Sequence, residues 1–246
     1  MNPLAIQLYS LRDQLAADRD GTLRRLAAFG YRAVEAYDPV SDPAGFRTVA
    51  DELGLMVCST HAPVFGGDAQ RAEVAAAART LGTDTVIVPA IASADFADRA
   101  GVRQVAARLA EAAAWAAGEG LRLGYHNHHW ELSQLVDGRP ALEVLADGLP
   151  AEVFLEVDIY WAAVGGVDVP DLLKRLGKRV RYLHVKDGPS TKDDPMTAVG
   201  SGTLPIPDIL AAAPPDAWRI VELDRCATDM LAAIADSYQY LSGLAR

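Results

Sequence analysis

Eight short apolar runs punctuate this chain: LAIQLYSL, RAVEAY, LMVCSTHAP, DTVIVPA, RLGYHNHH, VFLEVDIYW, VRYLHVKD and WRIVELD. Between them lie Ala-rich stretches with helical periodicity, such as DGTLRRLAAFG, DPAGFRTVADELG, AQRAEVAAAARTLG and VRQVAARLAEAAAWAAGEG. Many of these end in Gly just before the next run, as a helix C-cap in a short αβ loop requires. Each strand–helix unit takes roughly 30 residues, the usual size of a βαβ repeat. Strands rich in Val, Leu and Ile suit a parallel sheet covered on both faces. Eight such units in one chain predict an α/β fold, a single (β/α)8 barrel spanning residues 1–246. The rival is an open doubly wound sheet, but SLRDQLAADRD follows the first run where a G-x-G-x-x-G turn would be expected.

Composition narrows the partners. Half of the 246 residues are hydrophobic, enough for a large core, and the net charge is −10. A surface this acidic repels phosphate backbones, so nucleic acid is not an expected partner. The cysteines, Cys58 and Cys226, are far apart and suggest no disulfide framework. MNPLAIQLYSLRDQ lacks the basic region and long apolar run of a signal peptide, and no stretch is long enough to span a bilayer. The expectation is a cytoplasmic protein without a membrane partner. The irregular stretch Asp187–Pro205 reads as a long loop after the seventh strand.

All five histidines fall in or just after these runs: His61, His126, His128, His129 and His184. In a barrel, the C-terminal strand ends surround one mouth where active sites are built. Period-two alternation puts Gly124, His126, His128 and Trp130 on one strand face. It does the same for Glu156, Asp158 and Tyr160, for Tyr182, His184 and Lys186, for Ile220, Glu222 and Asp224, and for Glu35 and Tyr37. If these faces point inward, imidazoles and carboxylates converge. Buried charges without partners cost several kcal/mol each. A divalent cation (Mn²⁺, Mg²⁺, Co²⁺ or Zn²⁺) suits such a mixed His/Asp/Glu set.

The pieces QLYSLR, GYRAVE, YHNHHWE (Tyr125 to Glu131), EVDIYWAAVGG, LHVKD, VGSG and VELD occur in an order that resembles the xylose-isomerase-like TIM barrels. This is the sugar phosphate isomerase/epimerase group, which also includes inosose dehydratases, ketose 3-epimerases and endonuclease IV. The chain looks closest to the branch with YHNH-x-x-E in the fifth strand. The resemblance implies one divalent metal held by Asp158, His184 and Glu222. The first ligand departs from the family pattern: either His126 replaces the usual carboxylate, or Glu131 reaches back from the strand end. It further implies acid/base work for Glu131, Glu222 and His128, with Lys186 holding a substrate oxygen. Glu35, His61, Trp130, Trp161 and Gln7 would line the pocket.

Plainer readings stand beside these. Glu35 could pair with Arg12, Glu156 could lie one layer deeper, Asp224 could cap the last helix, and VGSG could be a simple turn. The function implied is a metal-dependent isomerase or epimerase of a small sugar, keto-sugar or polyol-derived substrate, working through an enediolate. The alternatives are a lyase that dehydrates a keto-inositol or 3-keto-sugar, or a non-catalytic sugar-binding barrel. A carbohydrate is the expected small-molecule partner, and a homodimer is compatible with the resemblance. Endonuclease chemistry needs more ligands than five histidines allow.

Overall fold

The computed structural model describes residues 2–244. The eight apolar runs form eight parallel strands: β1 (Ala5–Gln7), β2 (Ala33–Ala36), β3 (Met56–His61), β4 (Thr85–Val88), β5 (Arg122–His126), β6 (Phe154–Asp158), β7 (Val180–Val185) and β8 (Trp218–Val221). Each pairs with its neighbours in chain order. The ring closes where β8 meets β1, with Ala5 opposite Ile220 and Ile6 opposite Val221. The fold is therefore the closed (β/α)8 barrel, not an open sheet.

The crossover helices are α1 (Arg12–Phe29), α2 (Pro43–Leu53), α3 (Asp68–Leu81), α4 (Arg99–Gly118), α5 (Ala141–Gly148), α6 (Val169–Leu176), α7 (Ile206–Ala212) and α8 (Met230–Leu244). Their starts follow local chemistry. Asp42, Asp98 and Asp168 each accept a hydrogen bond from a first-turn N–H, and Pro43 occupies the first turn of α2. Such caps are each worth about 1 kcal/mol. The Gly expected after α2 is Gly54, left-handed at φ 63°, where a side chain would strain the backbone. No helix among the described residues is long and apolar enough to cross a membrane.

Outward-facing strand residues such as Val34, Val57, Val86, Leu123, Leu155 and Val221 pack under the helices in the main core. The barrel interior is built in tiers. Toward the N-terminal ends, Ala5, Ala33, Cys58, Ile87, Phe154, Tyr182 and Ile220 form a separate apolar plug. Phe154 fills the space that Gly124 leaves: a Cβ there would stand 2.3 Å from the phenyl ring. Above the plug the interior turns polar.

Two local features depart from the strand pattern. The sixth run does not continue as a strand past Asp158. Its carboxylate accepts from Trp161 N at 2.8 Å and starts the short helix Ile159–Val164. Tyr160 is thereby removed from the inward face expected of it, and its hydroxyl donates to Thr191 O. After β5, the helical turn Trp130–Ser133 leads into a small hairpin, Leu135–Val136 with Arg139–Pro140, turned at Asp137–Gly138 with both φ positive.

Candidate active site

The polar tier sits at the C-terminal ends of the strands. Gln7, Glu35, His126, Glu156, Asp158, His184 and Lys186 are all at most 4% exposed there. They project inward because each lies two or four residues beyond a plug residue on its own strand or, for His126, two beyond Gly124. A shift in the β2–β3 register sets Glu35 opposite Ser59, whose hydroxyl donates to the Glu35 carboxylate.

His184 is the hub. Its Nε2 lies 2.6 Å from Glu35 Oε1 and 3.2 Å from Glu156 Oε1, and its Nδ1 lies 2.7 Å from Glu222 Oε2. Burial alone would lower its pKa, but Glu156, Glu222 and Glu35 outweigh burial and hold the ring well above the ordinary imidazole range. Glu156 also faces His61 Nε2 at 2.6 Å and His126 Nδ1 at 3.1 Å. Its carboxyl lies well below the usual range, the imidazoles of His184 and His61 overcoming the cost of burial. Glu35 is pushed up by burial and by the charge of Glu156.

Lys186 is buried among three carboxylates, with Nζ 2.6 Å from Glu222 Oε2, 2.9 Å from Asp158 Oδ2 and 2.9 Å from Asp224 Oδ2. Burial would favour the neutral amine, but these acids hold it charged. Burial raises Asp158 to about 6 against the pull of Lys186. His128 is driven down to about 3 by burial and by the Lys186 charge, so its ring is neutral at pH 7.

Two sets offer donor atoms within 4.8 Å of one another: His126, Asp158, His184 and Glu222, and one tier deeper His61, His126, Glu156 and His184. The upper set is the one the resemblance implied, with His126 in the first place. The donor types could hold a divalent cation, with His184 giving up the proton its carboxylate neighbours favour. The set is two imidazoles and two carboxylates. Asp158 Oδ2 is buried without a directed hydrogen bond, although the Lys186 ammonium stands 2.9 Å away. His128 Nδ1 is likewise buried without a hydrogen bond, and Glu156 Oε1 has no directed one although His184 Nε2 stands 3.2 Å away.

His126 and Glu222 of this set line a pocket of about 470 Å³, together with His61, His128, Trp161 and Lys186; Asp158 and His184 lie buried behind them. A smaller pocket of about 170 Å³ lies outside the barrel against Leu15, Pro43 and Phe46, and carries no His, Cys or Glu.

Several residues expected in the pocket stand elsewhere. Glu131 is turned to the outer side of β5: Oε1 accepts from Tyr125 OH at 2.5 Å and Oε2 from His128 N at 2.9 Å. The chain reverses after His128 and swings Glu131 back over Tyr125, away from the four-residue set. Trp130 stacks flat on His128, 4.3 Å between centroids, and is not among the residues lining the pocket. Glu35 is fully buried beneath the pocket and held by Gln7, Ser59 and His184. It does not pair with Arg12, whose guanidinium donates to the carbonyls of Tyr9 and Asp224. Asp224 takes the Lys186 ammonium and does not cap the last helix. Glu156 lies one layer deeper, as its plainer reading had it, with histidines for partners.

Asn127 was not singled out in the sequence. Its Oδ1 accepts from Asp158 N at 3.1 Å, tying the ends of β5 and β6 together. The signal was its outward parity between two inward histidines. The VGSG stretch folds as a turn around Asp187, whose carboxylate accepts from Gly188, Gly200, Gly202 and Leu204 N.

Comparison with solved structures finds the same barrel. A sugar phosphate isomerase/epimerase from Parabacteroides distasonis superposes with a TM-score of 0.84 at 22% identity, covering 98% of this chain and 94% of that one. An L-ribulose 3-epimerase gives 0.72 at 18%, covering 99% and 94%. A probable 3-DHS dehydratase from Bacillus anthracis gives 0.77 at 12%, covering 98% and 99%. At these identities the likeness establishes the fold. No curated protein matches the chain. The family model described as xylose isomerase-like TIM barrel matches residues 23–236, nearly the whole length, and the chain belongs to that family.

Proposed function

We propose that this barrel is a divalent-metal-dependent isomerase or epimerase acting on a sugar or a polyol-derived ketone through an enediolate. One observation carries the reading: donor atoms of His126, Asp158, His184 and Glu222 gather within 4.8 Å, and two of the four, His126 and Glu222, line a pocket. A divalent ion held by these four would polarise a substrate carbonyl and steady the negative charge that develops on its oxygen. Glu222 and His128 line the pocket and are the candidates for accepting and returning the carbon-bound proton. Lys186 would hold a substrate hydroxyl or oxyanion from its place beside Glu222. Glu131 acts as a positioning residue, since its bond to His128 N sets the path on which His126 and His128 leave the strand.

The same proton abstraction starts a dehydration, and the likeness to a probable dehydratase supports that second reading. Incubating the Mn²⁺-loaded protein with candidate ketoses in D₂O separates the two. Deuterium gain without loss of water is the expected result; loss of water means a lyase. If Asp158→Ala and Glu222→Ala proteins still bind Mn²⁺ and catalyse exchange at the wild-type rate, the site assignment is wrong.

A further inference from the structure

The upper and the deeper donor sets share two residues, His126 and His184. These rings come from β5 and β7, on either side of β6, which carries Asp158 and, two residues deeper, Glu156. In the strand ladder His126 is level with Glu156, and His184 with Asp158. Each ring therefore stands between the two sets with one nitrogen toward each. His126 turns Nε2 to Asp158 Oδ2 at 3.9 Å and Nδ1 to Glu156 Oε2 at 3.1 Å. His184 turns Nδ1 to Glu222 Oε2 at 2.7 Å, and Nε2 to Glu35 Oε1 at 2.6 Å and Glu156 Oε1 at 3.2 Å.

A neutral imidazole has one N–H and one lone pair. Filling both sets at once would take the last ring proton from both His126 and His184, so the chain has donors for a single ion. The upper set is the better host. It reaches the pocket through His126 and Glu222, and Asp158 Oδ2 has no directed hydrogen bond. In the deeper set the carboxylate is already engaged, since Glu156 Oε2 also faces His61 Nε2 at 2.6 Å. A nitrogen that ligates a metal cannot carry a proton, so each ring must keep its proton at the rear. The two carboxylates behind the rings are fully buried and braced from their far sides. Glu35 accepts from Gln7 Nε2 at 2.8 Å and from the Ser59 hydroxyl, and Glu156 has His61.

We propose that Glu156 and Glu35 are positioning residues for the metal. Glu156 holds the His126 proton at Nδ1, and Glu35 with Glu156 holds the His184 proton at Nε2, which leaves His126 Nε2 and His184 Nδ1 as lone-pair donors toward the upper set. His61 braces Glu156 and is not a ligand. This rests on the metal site proposed above and assigns the residues behind it. A carboxylate behind a ligating imidazole fixes the tautomer and raises the ring's basicity, and its loss typically costs 10–100-fold in metal affinity. Gln in place of Glu156 keeps the shape but turns one oxygen into an N–H₂ donor. That donor must face either His184 or the pair His61 and His126, so at least one ring loses its acceptor.

The test is long-range ¹H–¹⁵N NMR of the imidazole rings in the full chain loaded with Zn²⁺, together with Zn²⁺ affinity by competition with a chromophoric chelator. The ion is diamagnetic, and five histidines are few enough to assign. The expected result is one Zn²⁺ per chain, with the proton of His126 on Nδ1 and that of His184 on Nε2. Glu156→Gln should weaken Zn²⁺ binding by about 10–100-fold and move His126 or His184 toward the opposite tautomer. A residue that merely supported the fold would lower the unfolding midpoint and leave tautomers and affinity of the folded protein unchanged. The wild-type tautomers decide the matter even where the variant does not fold. Two Zn²⁺ per chain, no Zn²⁺ bound, a proton on His126 Nε2 or His184 Nδ1 in the loaded protein, or wild-type affinity in folded Glu156→Gln overturns the proposal. Failure here is distinguishable from failure of the isomerase reading. Deuterium exchange on ketoses with the opposite tautomers sinks the positioning role alone. The expected tautomers with neither exchange nor water loss on any ketose sink the isomerase reading alone.

Discussion

On β6, Phe154 and Glu156 point into the same barrel about 6–7 Å apart, two residues along one strand. Phe154 lies in the apolar plug with Tyr182 and Ile220, stacked on Tyr182 at 5.1 Å between centroids. Glu156 lies among three histidines. The lower tier is what close packing alone would choose. The upper tier buries Glu35, Glu156, Asp158 and Lys186 together, which well-packed apolar residues would replace at no loss or even a gain in stability. A chain that keeps so costly a tier keeps it for chemistry, and the contrast separates residues that hold the barrel from residues that use it.

The largest effects should test that separation directly. Phe154→Ala should cost about 3–5 kcal/mol in urea or guanidinium unfolding, by removing a large buried ring, while the folded protein still binds Mn²⁺. Glu222→Gln should strike the chemistry: turnover falls by about 10²–10⁴-fold, and the unfolding midpoint falls too, because buried Lys186 and His184 lose a charged partner. If the plug substitution abolishes Mn²⁺ binding in folded protein, or the Glu222 variant turns over normally, the division between tiers collapses.

The outer wall of β5 is a third environment. Burial pushes the Glu131 carboxyl up to about 7, against about 4.3 for an exposed Glu. The unfolded chain therefore ionises first, and between these values the folded state binds more protons. Glu131's contribution is fully present below about pH 4 and is lost as pH rises through about 7, a change on the order of 3 kcal/mol. Glu131→Gln does not titrate. Its stability relative to wild type should climb by that amount between about pH 4 and pH 8, read from denaturation curves at stepped pH. A flat difference would mean that the carboxyl ionises as in water.

Gly124→Ala should have the smallest effect, about 1–3 kcal/mol, because the added methyl meets the Phe154 ring. Phe154→Leu in the same chain should recover part of the loss. Additivity of the two changes would show that the ring does not fill the glycine's space.

Much of this was legible before any coordinates. Periodicity placed all eight strands, and the alternation Tyr182–His184–Lys186 or Ile220–Glu222–Asp224 told which residues share a face. Other features were hidden because they depend on where the backbone turns after a strand. Glu131 sits in the YHNHHWE motif like a catalytic acid, but the reversal beyond His128 carries it onto Tyr125. Tyr160 continues the inward pattern on paper, yet Asp158 caps a helix and ends the strand. Glu35 and Arg12 carry opposite charges and still do not pair, since Glu35 has His184 beside it.

By itself the sequence determined the layers, because side-chain direction repeats every two residues in a strand and the hydrophobic effect sorts the two faces. Which histidine meets which carboxylate was decided only by the closed barrel. Those distances depend on the relative register of β3, β5, β6, β7 and β8, and on shifts such as the one between Val34 and Glu35. Such contacts join residues up to 149 positions apart. No local preference encodes that separation; it is fixed when the last strand closes on the first.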